Sequence, residues 1–138
     1  MRKLLIAALI IGATFSLGLA QDETTTAPDQ PKIPTEQILK MGRAPSATDG
    51  VGRAIVVVKD ANGNPVKKAY VHLYSTRSDG FLCESWAWTN EDGVVMLPPL
   101  HMGQLKIKIK ADGFQKSTTE VAANSLGDPV NITLVSKK

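Results

Sequence analysis

Three side chains with metal-binding or stacking chemistry alternate along one short segment. Tyr70, His72 and Tyr74 lie at every second position of AYVHLYS, so they share one face of an extended strand. Two tyrosinates and histidines could hold ferric iron, but a site of that kind also needs a close His-x-His pair. The chain has two histidines, His72 and His101, and they form no such pair. We therefore interpret the three side chains as an outward-facing aromatic strip over a neighbouring strand.

Other potential metal ligands are scattered through the chain. His101 and Met102 lie in a predicted turn loop, where we expect both to be exposed enough to bind something. The ligand types used by exported copper proteins are found at His72, Cys83, Met96, His101 and Met102. None is spaced as a local motif, so the sequence assigns no metal ligand and no cofactor. A periplasmic protein that handles copper or another metal stays as the alternative function.

Two tryptophans share one face of a further predicted strand, FLCESWAW. Leu82, Glu84, Trp86 and Trp88 alternate with smaller residues, so their side chains point the same way. Alternate tryptophans on a strand can form a flat platform for sugar rings or for a partner's apolar side chains. They could equally plug the core or cover an open sheet edge, and the sequence leaves both interpretations open.

A lysine-rich strand follows. Between Gln104 and Ala111, Leu105, Ile107 and Ile109 alternate with lysines, which predicts one buried and one solvated face. The solvated face discourages edge-to-edge aggregation, or it is a cationic strip that docks an acidic partner such as an anionic cell-surface glycan. Its members are Lys106, Lys108 and Lys110.

The N-terminal segment predicts export. Arg2 and Lys3 precede an apolar run, and small residues stand before Gln21, which indicates a cleaved signal peptide over residues 1–20. The run is shorter than the roughly 20 residues that span a bilayer, so we expect no stable membrane insertion after cleavage. We expect a periplasmic or extracellular protein with a flexible linker, rich in proline and threonine, over residues 21–50. Within it, TEQILKM predicts one helical turn that docks on the domain or stays mobile.

Charge and cysteine content narrow the function further. The signal peptide removes two of the 16 basic residues and none of the 13 acidic ones, leaving a net charge of +1. This near-neutral surface gives no reason to expect a nucleic-acid partner. The lone Cys83 is a small buried hydrophobe or pairs with another molecule. No Ser/His/Asp or paired-carboxylate arrangement stands out, so we assign no catalytic residue.

The remaining sequence, residues 51–136, predicts an all-β domain. About seven short strands are separated by turn signals at intervals of roughly 8–12 residues, which is typical of an antiparallel β-sandwich with Greek-key connections. GRAIVVVK is the first strand and VNITLV the last, while the polar residues 115–122 suit a sheet edge.

A series of turn and packing motifs runs along residues 51–135. They are a D-x-x-G-x-P-V turn (Asp60, Gly63, Pro65 and Val66), a small-x-Val strand start (Ala69 and Val71), a T-[DN]-x-D-G turn (Thr89, Asn90, Asp92 and Gly93), a Leu-Pro-x-Gly-like turn (Pro99, Leu100 and Gly103) and an A-x-G-[FY] ending (Ala111, Gly113 and Phe114). These motifs resemble those of the carboxypeptidase regulatory-like family, a transthyretin-like seven-stranded sandwich. The resemblance implies a non-catalytic accessory module. We therefore expect no enzyme activity, and a binding or structural role through protein or carbohydrate interaction at the cell envelope.

Overall fold

The computed structural model describes residues 32–138, which are almost entirely strands and turns. No helix in this part of the chain is long and apolar enough to cross a membrane. The elements are α1 (Thr35–Ile38), β1 (Val51–Gly52), β2 (Ile55–Asp60), β3 (Tyr70–Thr76), β4 (Leu82–Trp88), β5 (Val94–Met96), β6 (Leu100–His101), β7 (Gln104–Lys110), β8 (Ser117–Val121), a 3-10 turn (Ala123–Ser125) and β9 (Val130–Leu134).

Two sheets enclose one main core. The first has the strand order β4-β3-β7-β8 and the second β5-β2-β9, while β1 and β6 form a separate two-residue pair. The predicted all-β sandwich is confirmed, and the polar strand β8 lies at a sheet edge as expected. The core side chains from the two sheets and their connections include Val56, Val58, Val71, Leu73, Leu97, Ile107, Ile109, Leu126, Ile132 and Leu134.

One pairing differs from the antiparallel arrangement that we predicted. Strand β9 runs parallel to β2, with Val56 opposite Val130 and Asp60 opposite Leu134. The connection from β8 passes through the 3-10 turn, where Leu126 is fully buried, and delivers β9 to the other sheet. Alternation of apolar residues sets which face is buried but carries no information on strand direction, so the sequence pattern could not reveal this pairing.

Residues 32–50, which belong to the segment predicted as a linker, pack on the domain, and the helical turn takes the docked alternative. Ile55 and Val57, on the outer side of β2, are covered by Ile38, Leu39 and Met41 from this segment. The backbone groups of Arg43 and Arg53 exchange two hydrogen bonds of 2.8 and 2.9 Å. A helical turn too short to be stable alone is held by the apolar surface that it covers. The predicted signal peptide and residues 21–31 lie outside the described residues.

The Thr89–Gly93 turn is tied to the β2–β3 connection through one buried hydroxyl. Thr89 Oγ1 donates to the carbonyl of Val66 at 2.6 Å and accepts from the N–H of Ala69 at 2.9 Å. Gly93 has a φ of 70°, and a Cβ there would lie 2.4 Å from the Val58 carbonyl oxygen. The residues of the Thr89–Gly93 turn therefore satisfy buried backbone groups of the β2–β3 connection.

Asp49 anchors the chain before β1 to the β3–β4 turn. Its carboxylate accepts the N–H of Ser78 at 2.9 Å and also the Ser78 hydroxyl. These hydrogen bonds, with smaller contributions from the charges of Arg77 and His101, hold the pKa of Asp49 below its ordinary value of 3.8. A depressed carboxyl pKa contributes stability above the unfolded-state pKa, and that stability is lost as the pH falls through the folded-state pKa.

Replacing Thr89 with valine should destabilise the domain by about 1–3 kcal/mol, because the buried Val66 carbonyl and Ala69 N–H both lose a partner. Urea unfolding followed by circular dichroism measures the change. The exposed Thr133 on β9 is the matched control, and Thr133→Val should change stability by less than about 0.5 kcal/mol. Equal effects of the two substitutions would contradict the role given to the Thr89 hydroxyl.

Asp49→Asn should lower the free energy of unfolding at neutral pH, since the amide loses the charge that the Ser78 groups stabilise. The difference from the wild type should shrink as the pH is lowered through the folded-state pKa of Asp49. Urea titrations over an acidic pH series provide the measurement, with Asp128→Asn, an exposed loop carboxylate, as the control. A difference that is independent of pH would show that charge is not the cause.

Candidate functional site

The outer surface of the four-stranded sheet collects most of the sequence-predicted site residues. Strand β3 pairs with β4 on one side and with β7 on the other, so outward side chains form rows across three strands. We call this surface the aromatic face. Its rows are Trp88–Tyr70–Lys110, Trp86–His72–Lys108 and Glu84–Tyr74–Lys106.

The rings of the aromatic face form one continuous network. The His72 ring stacks on Tyr74 with centroids 4.0 Å apart and meets Trp86 edge-on at 5.7 Å. Tyr70 links its own row, which contains Trp88, to the row of His72, because its ring lies 5.8 Å from His72 and 5.3 Å from Trp88. These separations are those of favourable aromatic pairs, so the rings hold one another in place.

Both tryptophans are exposed, and the interpretation that they plug the core is wrong. Trp86 is 51% and Trp88 61% exposed. The inward side of β4 instead carries smaller residues, among them Ser85, whose hydroxyl donates to the Pro98 carbonyl at 3.0 Å. The free Cys83 also lies on this side and is partly buried. Because the inward positions are occupied by small side chains, the tryptophans must point to solvent.

One side-chain hydrogen bond crosses the middle of the aromatic face. His72 Nε2 lies 3.1 Å from Glu84 Oε2, with 16% of the histidine side chain and 37% of the glutamate side chain exposed. The carboxylate fixes the orientation of the imidazole between Tyr74 and Trp86. His72 is therefore held as part of the ring surface.

The lysines of β7 border the rings, with the predicted outward orientation. Each is exposed while Leu105, Ile107 and Ile109 are buried. Lys108 Nζ lies 4.8 Å from the centre of the Tyr74 ring, a cation–π distance. Lys106 is opposite Glu120 of β8 in the strand register. A cleft of about 320 Å³ separates the aromatic strip from the start of β8 and is lined in part by Tyr70, His72, Tyr74, Lys108 and Lys110.

His101 and Met102 do not belong to the aromatic face, and the expectation that Met102 is exposed is wrong. Met102 is only 2% exposed and packs in the core, whereas His101 is exposed and its Nδ1 lies 2.8 Å from the Asp49 carbonyl oxygen. A Cβ on Gly103 would meet the Thr76 carbonyl at 1.9 Å, so the chain here is pressed against β3 and Met102 turns inward. Among residues 32–138, no group of three or more His, Cys, Asp or Glu side chains is arranged to hold a metal.

Sequence reasoning missed three lysines beside the Trp88 end of the aromatic face. Lys68, Lys116 and Lys137 line a cleft of about 360 Å³ together with Tyr70 and Trp88. They lie in a turn, before β8 and after β9, where no strand alternation marks them. Only the strand register and the turns bring them together.

Comparison with known proteins identifies a family for most of the described chain. The family model described as the carboxypeptidase regulatory-like domain matches residues 55–136, which run from the start of β2 to just beyond β9. No curated protein matches the chain.

The exposure of both tryptophans should be visible in solution, since they are the only two in the sequence. With roughly half of each side chain exposed, we expect acrylamide to quench the native fluorescence with a constant about half that of the urea-unfolded chain. Acrylamide is uncharged, so the neighbouring lysines do not bias the result. Quenching near the low level of a buried tryptophan would contradict the placement of both rings.

Proposed function

Because the chain belongs to the carboxypeptidase regulatory-like family, whose members are typically non-catalytic, we propose that it is an exported, non-catalytic carbohydrate-binding module of the cell envelope. The aromatic face is the proposed binding surface. The signal-peptide pattern of residues 1–20 supports export to the periplasm or beyond the cell.

The observation that carries this proposal is the exposed, ordered tryptophan pair on β4. Side chains at alternate positions of a strand are about 7 Å apart, so Trp86 and Trp88 offer two neighbouring apolar surfaces. Their exposure leaves a large apolar area in contact with water inside an otherwise polar surface. Tyr70 and His72 contact the tryptophans from the neighbouring strand and limit their motion, which reduces the entropy lost when a ligand binds.

The surroundings of the rings favour a sugar over a purely apolar partner. A pyranose ring has a C–H face that can lie on an aromatic ring and hydroxyl groups around its edge. On the aromatic face, the Glu84 carboxylate and the Lys108 ammonium lie within the same rows as the rings. A flat apolar surface interrupted by donors and acceptors provides both kinds of contact.

Soluble polysaccharides should bind the protein, and the binding should depend on the tryptophans. We expect at least one polymer of a panel containing xylan, galactomannan, alginate and polygalacturonate to slow the protein in affinity electrophoresis. Trp86→Ala and Trp88→Ala should each weaken that binding by more than tenfold, because truncating a tryptophan at the centre of an interface costs about 2 kcal/mol or more.

Phe81→Ala is the matched control, because Phe81 is 62% exposed but lies in the turn before β4, outside the aromatic face. It should bind like the wild type, and circular dichroism should show all three variants folded. If no polymer binds, or if the tryptophan variants bind as well as the control, the carbohydrate proposal is wrong. Capture of a defined protein partner that requires Trp86 and Trp88 in place of a sugar would reassign the surface.

A further inference from the structure

We propose that the Trp88 end of the aromatic face binds the carboxylates of a polyuronate, so that the ligand of this module is an acidic polysaccharide. This inference rests on the proposed carbohydrate-binding function and adds the class of sugar. It is carried by four lysines that surround one aromatic pair, which we call the lysine cluster: Lys68, Lys110, Lys116 and Lys137.

The lysine cluster carries a net positive charge. The cleft of about 360 Å³ that its side chains line with Tyr70 and Trp88 contains one acidic residue, Asp112. Within residues 32–138, none of the four lysines forms an ion pair within 4.0 Å. By contrast, the ammonium of Lys67, which precedes Lys68 in the β2–β3 connection, lies 3.6 Å from the Glu91 carboxylate. Since the predicted mature chain has a net charge of only +1, the cluster does not follow from a generally basic surface.

Four separate parts of the chain deliver these lysines to one place. Lys110 ends β7, and Lys116 follows the Gly113 turn that leads to β8. The C-terminal segment is held beside this turn, because the N–H of Lys137 donates to the Gly113 carbonyl at 2.9 Å. Lys68 has a φ of 56°, a conformation that a non-glycine residue adopts infrequently.

Gathering like charges costs electrostatic energy, and a bound polyanion would offset that cost. An ammonium group is a compact, flexible point charge, which suits carboxylates that recur along a solvated polymer. The Tyr70–Trp88 pair, with ring centroids 5.3 Å apart, supplies a stacking surface in the same cleft. A sugar ring with a carboxylate substituent uses both features together, whereas an acidic peptide needs only the charges.

Charge also varies along the aromatic face and gives the site a direction. At the far end, the row of Tyr74 and Lys106 is flanked by Glu84 on β4 and Glu120 on β8. This end is therefore close to electrically balanced, while the Trp88 end is cationic. A polyuronate is expected to bind mainly at the Trp88 end.

The test compares one polymer with and without its charge. Calorimetric titration of the full chain with polygalacturonate and with its carboxyl-reduced, neutral form should show at least tenfold tighter binding of the acid form at low salt. The preference should fall in about 0.15 M salt, where the Debye length is about 8 Å. Lys110→Gln, Lys116→Gln and Lys137→Gln combined should remove the preference for the acid form and leave binding of the neutral form unchanged.

A triple variant with the same change in charge serves as the control. The control replaces three exposed lysines that lie before β1 or on β2 of the second sheet: Lys32, Lys40 and Lys59. Replacing them with glutamine should preserve the preference for the acid polymer. If both triple variants lose the preference for the acid polymer equally, the preference comes from net charge alone and the proposed site is wrong.

The remaining outcomes separate this inference from the proposed function. Equal binding of the acid and neutral polymers overturns the polyuronate site but leaves a carbohydrate-binding module. If neither form of polygalacturonate binds but neutral xylan binds through Trp86 and Trp88, the polyuronate site is again wrong and the carbohydrate-binding module remains. If no polysaccharide binds, both proposals are wrong. Polyglutamate binding as tight as polygalacturonate and insensitive to Trp88→Ala would identify a surface for acidic protein.

Discussion

The pairing of β3 with β7 at the centre of the four-stranded sheet determines both the core and the aromatic face. In this pairing Leu73 lies opposite Ile107 and points inward, while His72 lies opposite Lys108 and points outward. A strand offers only two directions, so burying one set of side chains necessarily presents the other to solvent. A slip of one residue would place charged side chains in the core and apolar ones in water, and the apolar set thereby fixes the outward rows.

The two sheets meet solvent in different ways. The outer side of β2 is covered by Ile38, Leu39 and Met41, and Ile55 and Val57 are buried there as part of a second small core. The outer side of the four-stranded sheet has no such cover among the described residues, although it carries two tryptophans. The helical segment before β1 therefore covers the outer side of one sheet and leaves the outer side of the other exposed. This asymmetry is the physical reason for placing the proposed ligand on the aromatic face.

Alternation made part of this arrangement predictable. The orientations of Tyr70, His72 and Tyr74, and of the β7 lysines, follow from period-two patterns that contain both apolar and polar positions. In β4 the inward residues are small, so hydropathy could not decide whether the tryptophans faced inward.

Other features depended on contacts between distant segments. Met102 is buried because the chain at Gly103 lies against Thr76, a contact that no local pattern encodes. The docking of the short helix and the gathering of Lys68, Lys116 and Lys137 have the same origin. The turn residues predicted the family, but they satisfy backbone groups and are silent about a ligand.

The parallel pairing of β9 with β2 also has a consequence for the order of folding. Val56 lies beside Val130, so β2, the middle strand of the second sheet, gains its other neighbour only when β9 arrives. Such non-local closure carries a large loop entropy and is typical of domains that fold in milliseconds to seconds. A chain that is still being synthesised therefore keeps one edge of β2 unpaired until β9 has emerged. Because Lys137 lies shortly after Leu134, the last residue of β9, the same late event completes the cationic end of the surface.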